Sequence, residues 1–307
     1  MFSLAHERAR SRREETVRQE SITAELIAAM VEQSPRRHRL RDSWTALRAP
    51  KTEAHDWALS FPFVETFRNL CEDSCPAKHN GIRIGTGGRP YAYLRCAEDE
   101  LDRIREWLAT IGEYVALRDC LALSFALDYE RENGDPSKPQ TDIGALRARA
   151  KPYGRGSTAA NHAAANELAA ACVDFLRSMP CYTAAEMIVP MPASSPSKPF
   201  NLPAVIAARV AEETGLRYTE AARTVRDREQ LKNIPLDRKL QVLDGTIEID
   251  VSSVRGKTVL LLDDLYQSGV SMNYVAMLLL DAGAAAVLGL AVEKTCRNDD
   301  NLGGGPS

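Results

Sequence analysis

Two adjacent carboxylates, Asp263 and Asp264, stand just ahead of Ser268-Gly269-Val270-Ser271 in the stretch KTVLLLDDLYQSGVS, Lys257 to Ser271. A carboxylate pair can take sugar hydroxyls or a divalent cation. A bend of glycine and small hydroxyl residues offers backbone N–H groups to an anion. At the start of a helix it does so at the positive end of the helix dipole. Thr258 to Leu262 are apolar or β-branched, too few to span a membrane and suited to a buried parallel strand. Met272, Val275, Ala276, Leu279 and Leu280 recur at helical spacing. The expected order is strand, acidic pair, turn and helix, with the carboxylates on the rim where open α/β sheets bind ligands. A ligand with a phosphate at one end and hydroxyls or Mg²⁺ at the other suits both halves, and a ribose 5-phosphate has that form.

A second candidate is the cysteine cluster Cys71-x3-Cys75-x3-His79 with Cys96 further on. Three thiols and an imidazole can close a tetrahedral Zn²⁺ site, with the run GIRIGTGGRPYAYLRC as a small β-hairpin. The spacing lacks paired C-x2-C motifs, and Cys71 and Cys75 also suit one face of a helix, so ordinary partly buried thiols are the other reading. A third is the arginine run Arg36, Arg37, Arg39 and Arg41. It reads either as a contact to nucleic acid or an acidic partner, or as a solvated face laced with ion pairs.

The stretch LLLDDLYQSGVS resembles the PRPP-binding motif of type I phosphoribosyltransferases. The resemblance implies that Asp263 and Asp264 take the ribose hydroxyls. It implies that the loop Tyr266, Gln267, Ser268, Gly269, Val270 and Ser271 wraps the 5′-phosphate. Residues 140–295 are further similar to the ComF-like (competence protein F) branch of that family. The pieces that carry this are IGALRARAKPYG with Lys151 and Tyr153, MIVPMP, Phe200-Asn201, and the skeleton Arg223, Gln230, Arg238 followed by Gln241-Val242. Gln267 departs from the usual threonine. It also stands where purine-salvage relatives carry a general-base aspartate, which counts against purine salvage.

What the resemblance implies is Mg²⁺-dependent transfer of a 5-phosphoribosyl group from PRPP to a nitrogen nucleophile, with release of pyrophosphate. Ser195, Lys198, Arg226, Arg228, Lys232 and Arg238 would then meet the pyrophosphate or close over it as a lid. Two rival readings come from other classes. One is a module that senses PRPP or a nucleotide without turnover. The other is a ComF-like DNA-uptake or nucleic-acid-handling factor. An oxidoreductase of the Rossmann type lacks support, since no G-x-G-x-x-G opens a helix.

The elements that must position these residues follow from pattern. From residue 184 onward strands alternate with helices, which predicts an α/β fold: a type I phosphoribosyltransferase-like parallel sheet flanked by helices. Leu101, Ile104, Trp107, Leu108, Ile111, Val115, Leu121, Phe125 and Leu127 recur at helical intervals, predicting one long helix or two over 98–131. Asn133-Gly134-Asp135-Pro136 punctuates the chain. The expected units are a mostly helical region over 1–135, a PRPP-binding domain over 136–296 and a disordered tail over 297–307. The segment 226–238 reads as a charged, mobile loop.

With 307 residues, 44% hydrophobic content and a net charge of −3, the chain has the composition of an ordinary globular protein. The seven scattered cysteines do not form a secreted disulfide framework, and MFSLAHERARSRREE has no apolar core of a secretory signal. The expected setting is the cytoplasm without membrane contact. The expected partners are PRPP, a nucleic acid or protein at the N-terminal region, and a second copy in a homodimer.

Overall fold

A computed structural model describes residues 17, 19–33, 38–39, 47–50, 52, 56–61, 69–70, 74–76, 78–84, 90–152, 156–229, 231 and 234–296. Among them the strands are β1 (His38–Arg39), β2 (Trp57–Phe61), β3 (Lys78–Ile84), β4 (Pro90–Cys96), β5 (Val115–Ala116), β6 (Leu123–Tyr129), β7 (Met187–Pro190), β8 (Arg217–Tyr218), β9 (Ala222–Thr224), β10 (Ile247–Ile249), β11 (Thr258–Tyr266) and β12 (Ala286–Lys294). The helices are α1 (Ala24–Gln33), α2 (Leu101–Gly112), α3 (Asp142–Ala150), α4 (Ala159–Ser178), α5 (Leu202–Thr214), α6 (Lys239–Leu243), α7 (Val251–Val254) and α8 (Val270–Asp281).

The protein is a mixed α/β structure with a mostly parallel central sheet flanked by helices. The strand order is β1-β5-β6-β12-β11-β7-β8. β6, β12, β11, β7 and β8 run parallel, and β5 and β1 add an antiparallel edge. Successive side chains of a strand point to opposite faces, so a strand covered on both sides must be apolar throughout. β11 obeys this. Leu260 and Leu262 pack with Leu168 and Phe175 of α4 and Ile206 and Val210 of α5. Val259 and Leu261 pack on the other face with Val275 and Leu279 of α8 and Ile27 of α1. Two smaller sheets lie outside this core, the antiparallel trio β2-β4-β3 and the ribbon β10-β9.

The strand–turn–helix read from 258–281 is present as β11 and α8. α5 stops at Gly215, whose φ of 77° lies in the left-handed region. α3 begins at Thr141, whose hydroxyl accepts the Gly144 N–H at 3.0 Å. The expected hairpin in the cysteine-bearing segment is present as the antiparallel pair β3–β4.

One expectation is corrected. Residues 121–127 are not helical, and Leu123–Tyr129 is strand β6, paired in parallel with β12. The run LALSFAL is apolar on both faces and nearly every residue of β6 is buried. A short apolar run without alternation satisfies helical spacing as easily as it satisfies a covered strand. Residues 1–135 therefore carry strands β1–β6 as well as helices. β6 and α3 stand on either side of the boundary expected at 135–136, and both pack against β12.

The arginines at 36, 37 and 41, Tyr153, Gln230, Lys232 and the tail 297–307 lie outside the described residues. Among the described residues no helix is long and apolar enough to cross a membrane.

Gly289, in the middle of β12, shows how tightly the sheet faces are filled. A Cβ there would lie 2.7 Å from Leu121 Cδ2 and 2.8 Å from Ser124 Cβ. Gly289→Val is expected to destabilise the fold by about 1–3 kcal/mol through overpacking, read as a lower denaturant midpoint at unchanged slope.

Candidate functional site

The carboxyl ends of β11 and β12 carry the charge. Asp263 and Asp264 follow Leu262 within β11, which runs on through Leu265 to Tyr266, and Glu293 sits near the end of β12. Consecutive strand residues face opposite ways, so the two aspartates part company. Asp263 lines a pocket of about 90 Å³ together with Gln267, Ser268, Gly269, Ser271 and Lys239. Asp264 instead meets cations: its Oδ2 accepts from Arg147 Nε at 3.1 Å and lies 3.2 Å from Lys151 Nζ. The Asp264 N–H donates to Asp263 Oδ1 at 2.8 Å, which fixes the Asp263 side chain against its own backbone.

Arg147 spans two acids. While Nε holds Asp264, Nη1 donates to Glu293 Oε1 at 3.1 Å. The three side chains are 11%, 15% and 2% exposed, so the charges offset one another out of water. Burial would push the Asp264 carboxyl up, but the charges of Arg147 and Lys151 outweigh it and hold the group below the usual aspartate range. Burial, with the Asp264 charge beside it, pushes Asp263 up. Burial also pushes Glu293 up to about 7, against the pull of Arg147.

The turn is built as the sequence suggests. Gly269 has a φ of 87° and caps α8. The first N–H groups of α8 have no acceptor inside the helix, and that of Val270 lies 3.5 Å from Ser268 Oγ. Ser268, Gly269 and Val270 are buried, while Gln267 and Ser271 are half-buried on the pocket wall. Tyr266 is 1% exposed, and its hydroxyl donates to Asp119 at 3.1 Å.

The residues expected around pyrophosphate are dispersed over two loops that touch. Ser195 Oγ donates to Asp227 Oδ1 at 2.5 Å and bonds Ser197 Oγ at 2.9 Å. Lys198 is exposed, and its charge reaches Asp264 and helps hold that carboxyl down. Arg226 donates to the Gly245 carbonyl from Nε at 2.9 Å and from Nη2, so it braces the ribbon loop. Arg228 is half-buried with its Nε buried and unpartnered, and burial lowers its pKa. Arg238 is exposed, whereas its neighbour Lys239 is 3% exposed and lines the pocket.

For the zinc set, Cys71 and the side chain of His79 lie outside the described residues. Cys75 is half-buried and Cys96 is buried, with its thiol donating to the Trp57 carbonyl at 3.9 Å. Burial, with Glu100 and Asp56 nearby, pushes the Cys96 thiol up. Among the described residues no group of three or more His, Cys, Asp or Glu side chains is placed to hold a metal ion.

Arg147, Glu293, Lys239 and Asp119 were not named from the sequence. Arg147 had a usable signal only in lying within the basic run ahead of Lys151. Glu293, Lys239 and Asp119 had none, because only the folding of distant segments brings them here.

No protein-family model matches the sequence, and no curated protein matches it. Among solved structures the chain is similar to a hypoxanthine phosphoribosyltransferase from Staphylococcus aureus, at 13% identity and a TM-score of 0.27. That match covers 43% of this chain and 64% of the other, so the chain spans less than two thirds of that enzyme. The Trypanosoma cruzi hypoxanthine phosphoribosyl transferase gives 11% identity and a TM-score of 0.30 over 54% of this chain and 72% of that one. The L. donovani hypoxanthine-guanine phosphoribosyl transferase gives 16% and 0.27 over 42% and 69%.

The buried acids set a sign for the pH dependence. Asp263 and Glu293 hold their protons more tightly in the fold than at their ordinary values of 3.8 and 4.5. Between those values and about 7 the folded state binds more protons than the unfolded one, so these groups make stability fall as pH rises. Asp264, held low, loses its contribution only as pH falls below the ordinary 3.8, outside that window. Glu293→Gln is therefore expected to flatten the decline in melting temperature between about pH 5 and 8, measured in buffers of matched ionic strength.

Proposed function

We propose that this protein binds Mg²⁺-PRPP and transfers its 5-phosphoribosyl group to a nitrogen nucleophile, releasing pyrophosphate. The observation that carries the reading is one pocket walled by Asp263 on one side and by Gln267, Ser268, Gly269 and Ser271 at the start of α8 on the other. The 5′-phosphate takes the first N–H groups of α8 and the Ser268 and Ser271 hydroxyls. Lys239 adds a cation on that side. Asp263 takes the ribose hydroxyls. A hard carboxylate oxygen beside substrate oxygens suits Mg²⁺, which keeps waters and needs few protein ligands.

Lys151 and Lys198, clustered around Asp264, lie where the leaving pyrophosphate would gather charge. The nitrogen lone pair attacks the ribose C1′ while the C1′–O bond to pyrophosphate breaks, through an oxocarbenium-like state. The chain's share of the work is to hold the sugar and to neutralise the leaving group. Gln267 offers no carboxylate to a purine. The reading places the protein in the cytoplasm, in the ComF-like branch that the motifs of 140–295 resemble.

A second reading, binding without turnover, is favoured by one observation. Asp264 is committed to Arg147 and Lys151 and does not line the pocket with Asp263.

Calorimetric titration with Mg²⁺-PRPP tests the shared step. Wild type is expected to release heat, and Asp263→Asn to weaken binding by about tenfold or more, equivalent to about 1.4 kcal/mol. Lys239→Met is expected to weaken binding and to blunt its salt dependence, whereas Arg238→Ala, at an exposed site, leaves it unchanged. No heat from wild type removes both readings. Pyrophosphate release across a panel of bases and amines then separates transfer from sensing.

A further inference from the structure

We propose that Asp119 is a positioning residue for the phosphate loop, acting through the Tyr266 hydroxyl to hold Gly269 in its left-handed conformation. Asp119 and Cys120, ahead of β6, are then a working part of the site. The inference rests on the reading of 267–271 as a phosphate loop.

Asp119 is 3% exposed, and both its oxygens are used. Oδ2 accepts from the Ser124 hydroxyl at 2.5 Å and from the Tyr266 hydroxyl at 3.1 Å. Oδ1 accepts from the Leu121 N–H at 3.1 Å. A buried carboxyl is tolerable only when hydrogen-bonded in this way, and the bonds in turn fix its position. Tyr266 is thereby pinned by its far end, and its ring lies directly against Gly269. A Cβ at Gly269 would collide with the hydroxyl and approach Cζ to 2.6 Å, so glycine is required by space as well as by its φ of 87°.

A second route grips the same residue. Asn273 of α8 is fully buried and donates from Nδ2 to the Gly269 carbonyl at 2.8 Å, beside its own N–H bond to that oxygen at 2.9 Å. Asn273 Oδ1 accepts the Cys120 N–H at 2.8 Å. Two consecutive residues, Asp119 and Cys120, thus reach Gly269 by separate routes, one through Tyr266 and one through Asn273. A loop that must aim several N–H groups at one phosphate loses affinity when it shifts by a fraction of an ångström. Positioning from a separate stretch of chain is what limits such a shift.

The test is a double-mutant cycle on the full chain with Asp119→Asn, Tyr266→Phe and the pair, reading the Mg²⁺-PRPP dissociation constant by calorimetry. Tyr266→Phe keeps the ring and so keeps the packing. Each single change is expected to raise the dissociation constant about tenfold, and the double change no more than either, since both cut one link. Ser124→Ala removes another bond to the carboxylate oxygen that accepts from Tyr266, and is expected to raise the dissociation constant by less than Asp119→Asn does. Unchanged affinity in folded Tyr266→Phe, or effects that multiply in the double variant, overturns the proposal while leaving PRPP binding intact. If wild type binds no PRPP, the functional reading fails and hydrogen exchange of the Asn273 amide decides the brace. Faster exchange in Asp119→Asn and Tyr266→Phe supports it, and unchanged exchange overturns it.

Discussion

The site depends on the point along β11 where two carboxylates interrupt an apolar strand covered on both faces. Up to Leu262 each side chain enters one of two cores, and the strand has neighbours on both sides in the sheet. Asp263 and Asp264 follow, before Leu265 and the buried Tyr266 complete the strand. Alternation then sends them to opposite sides, one to the turn at the start of α8 and one to α3. A single rule of strand geometry thus divides two adjacent carboxylates between two tasks.

The electrostatics of the crevice follow from that division. Arg147 bridges Asp264 and Glu293, and a buried cation between two buried acids is stable only if all three keep their geometry. The arrangement ties α3 to the ends of β11 and β12. Among the described residues Asp263 has no such cation bond and lines the pocket instead. The turn opposite is rigid for a different reason. Gly269 is confined by an aromatic ring below and an amide side chain beside it.

Much of this was legible in the chain. The strand–turn–helix of 258–281 carries three signals at once: a covered apolar run, an acidic pair and a glycine-hydroxyl bend. Such agreement between local signals is hard to produce otherwise. The alternation of strands with helices from residue 184 onward was legible too. β6 was not. Its sequence is apolar on both faces, so period gives no direction, and its pairing partner β12 lies 165 residues away, as from Leu123 to Leu288, beyond any local pattern. The same distance hid Asp119, which lies 147 residues from Tyr266.

The sequence by itself determined the class of fold, the strand that organises it, and the chemistry at that strand's end. Those follow from short-range rules of burial, backbone conformation and charge. Only the tertiary structure decided that Asp263 and Asp264 face different partners, that Lys239 and not Arg238 lines the pocket, and that Asp119 and Cys120 meet Tyr266 and Asn273 beside the turn. Each of these depends on which distant segments meet, and that is set by packing the whole core at once. No local spacing records it.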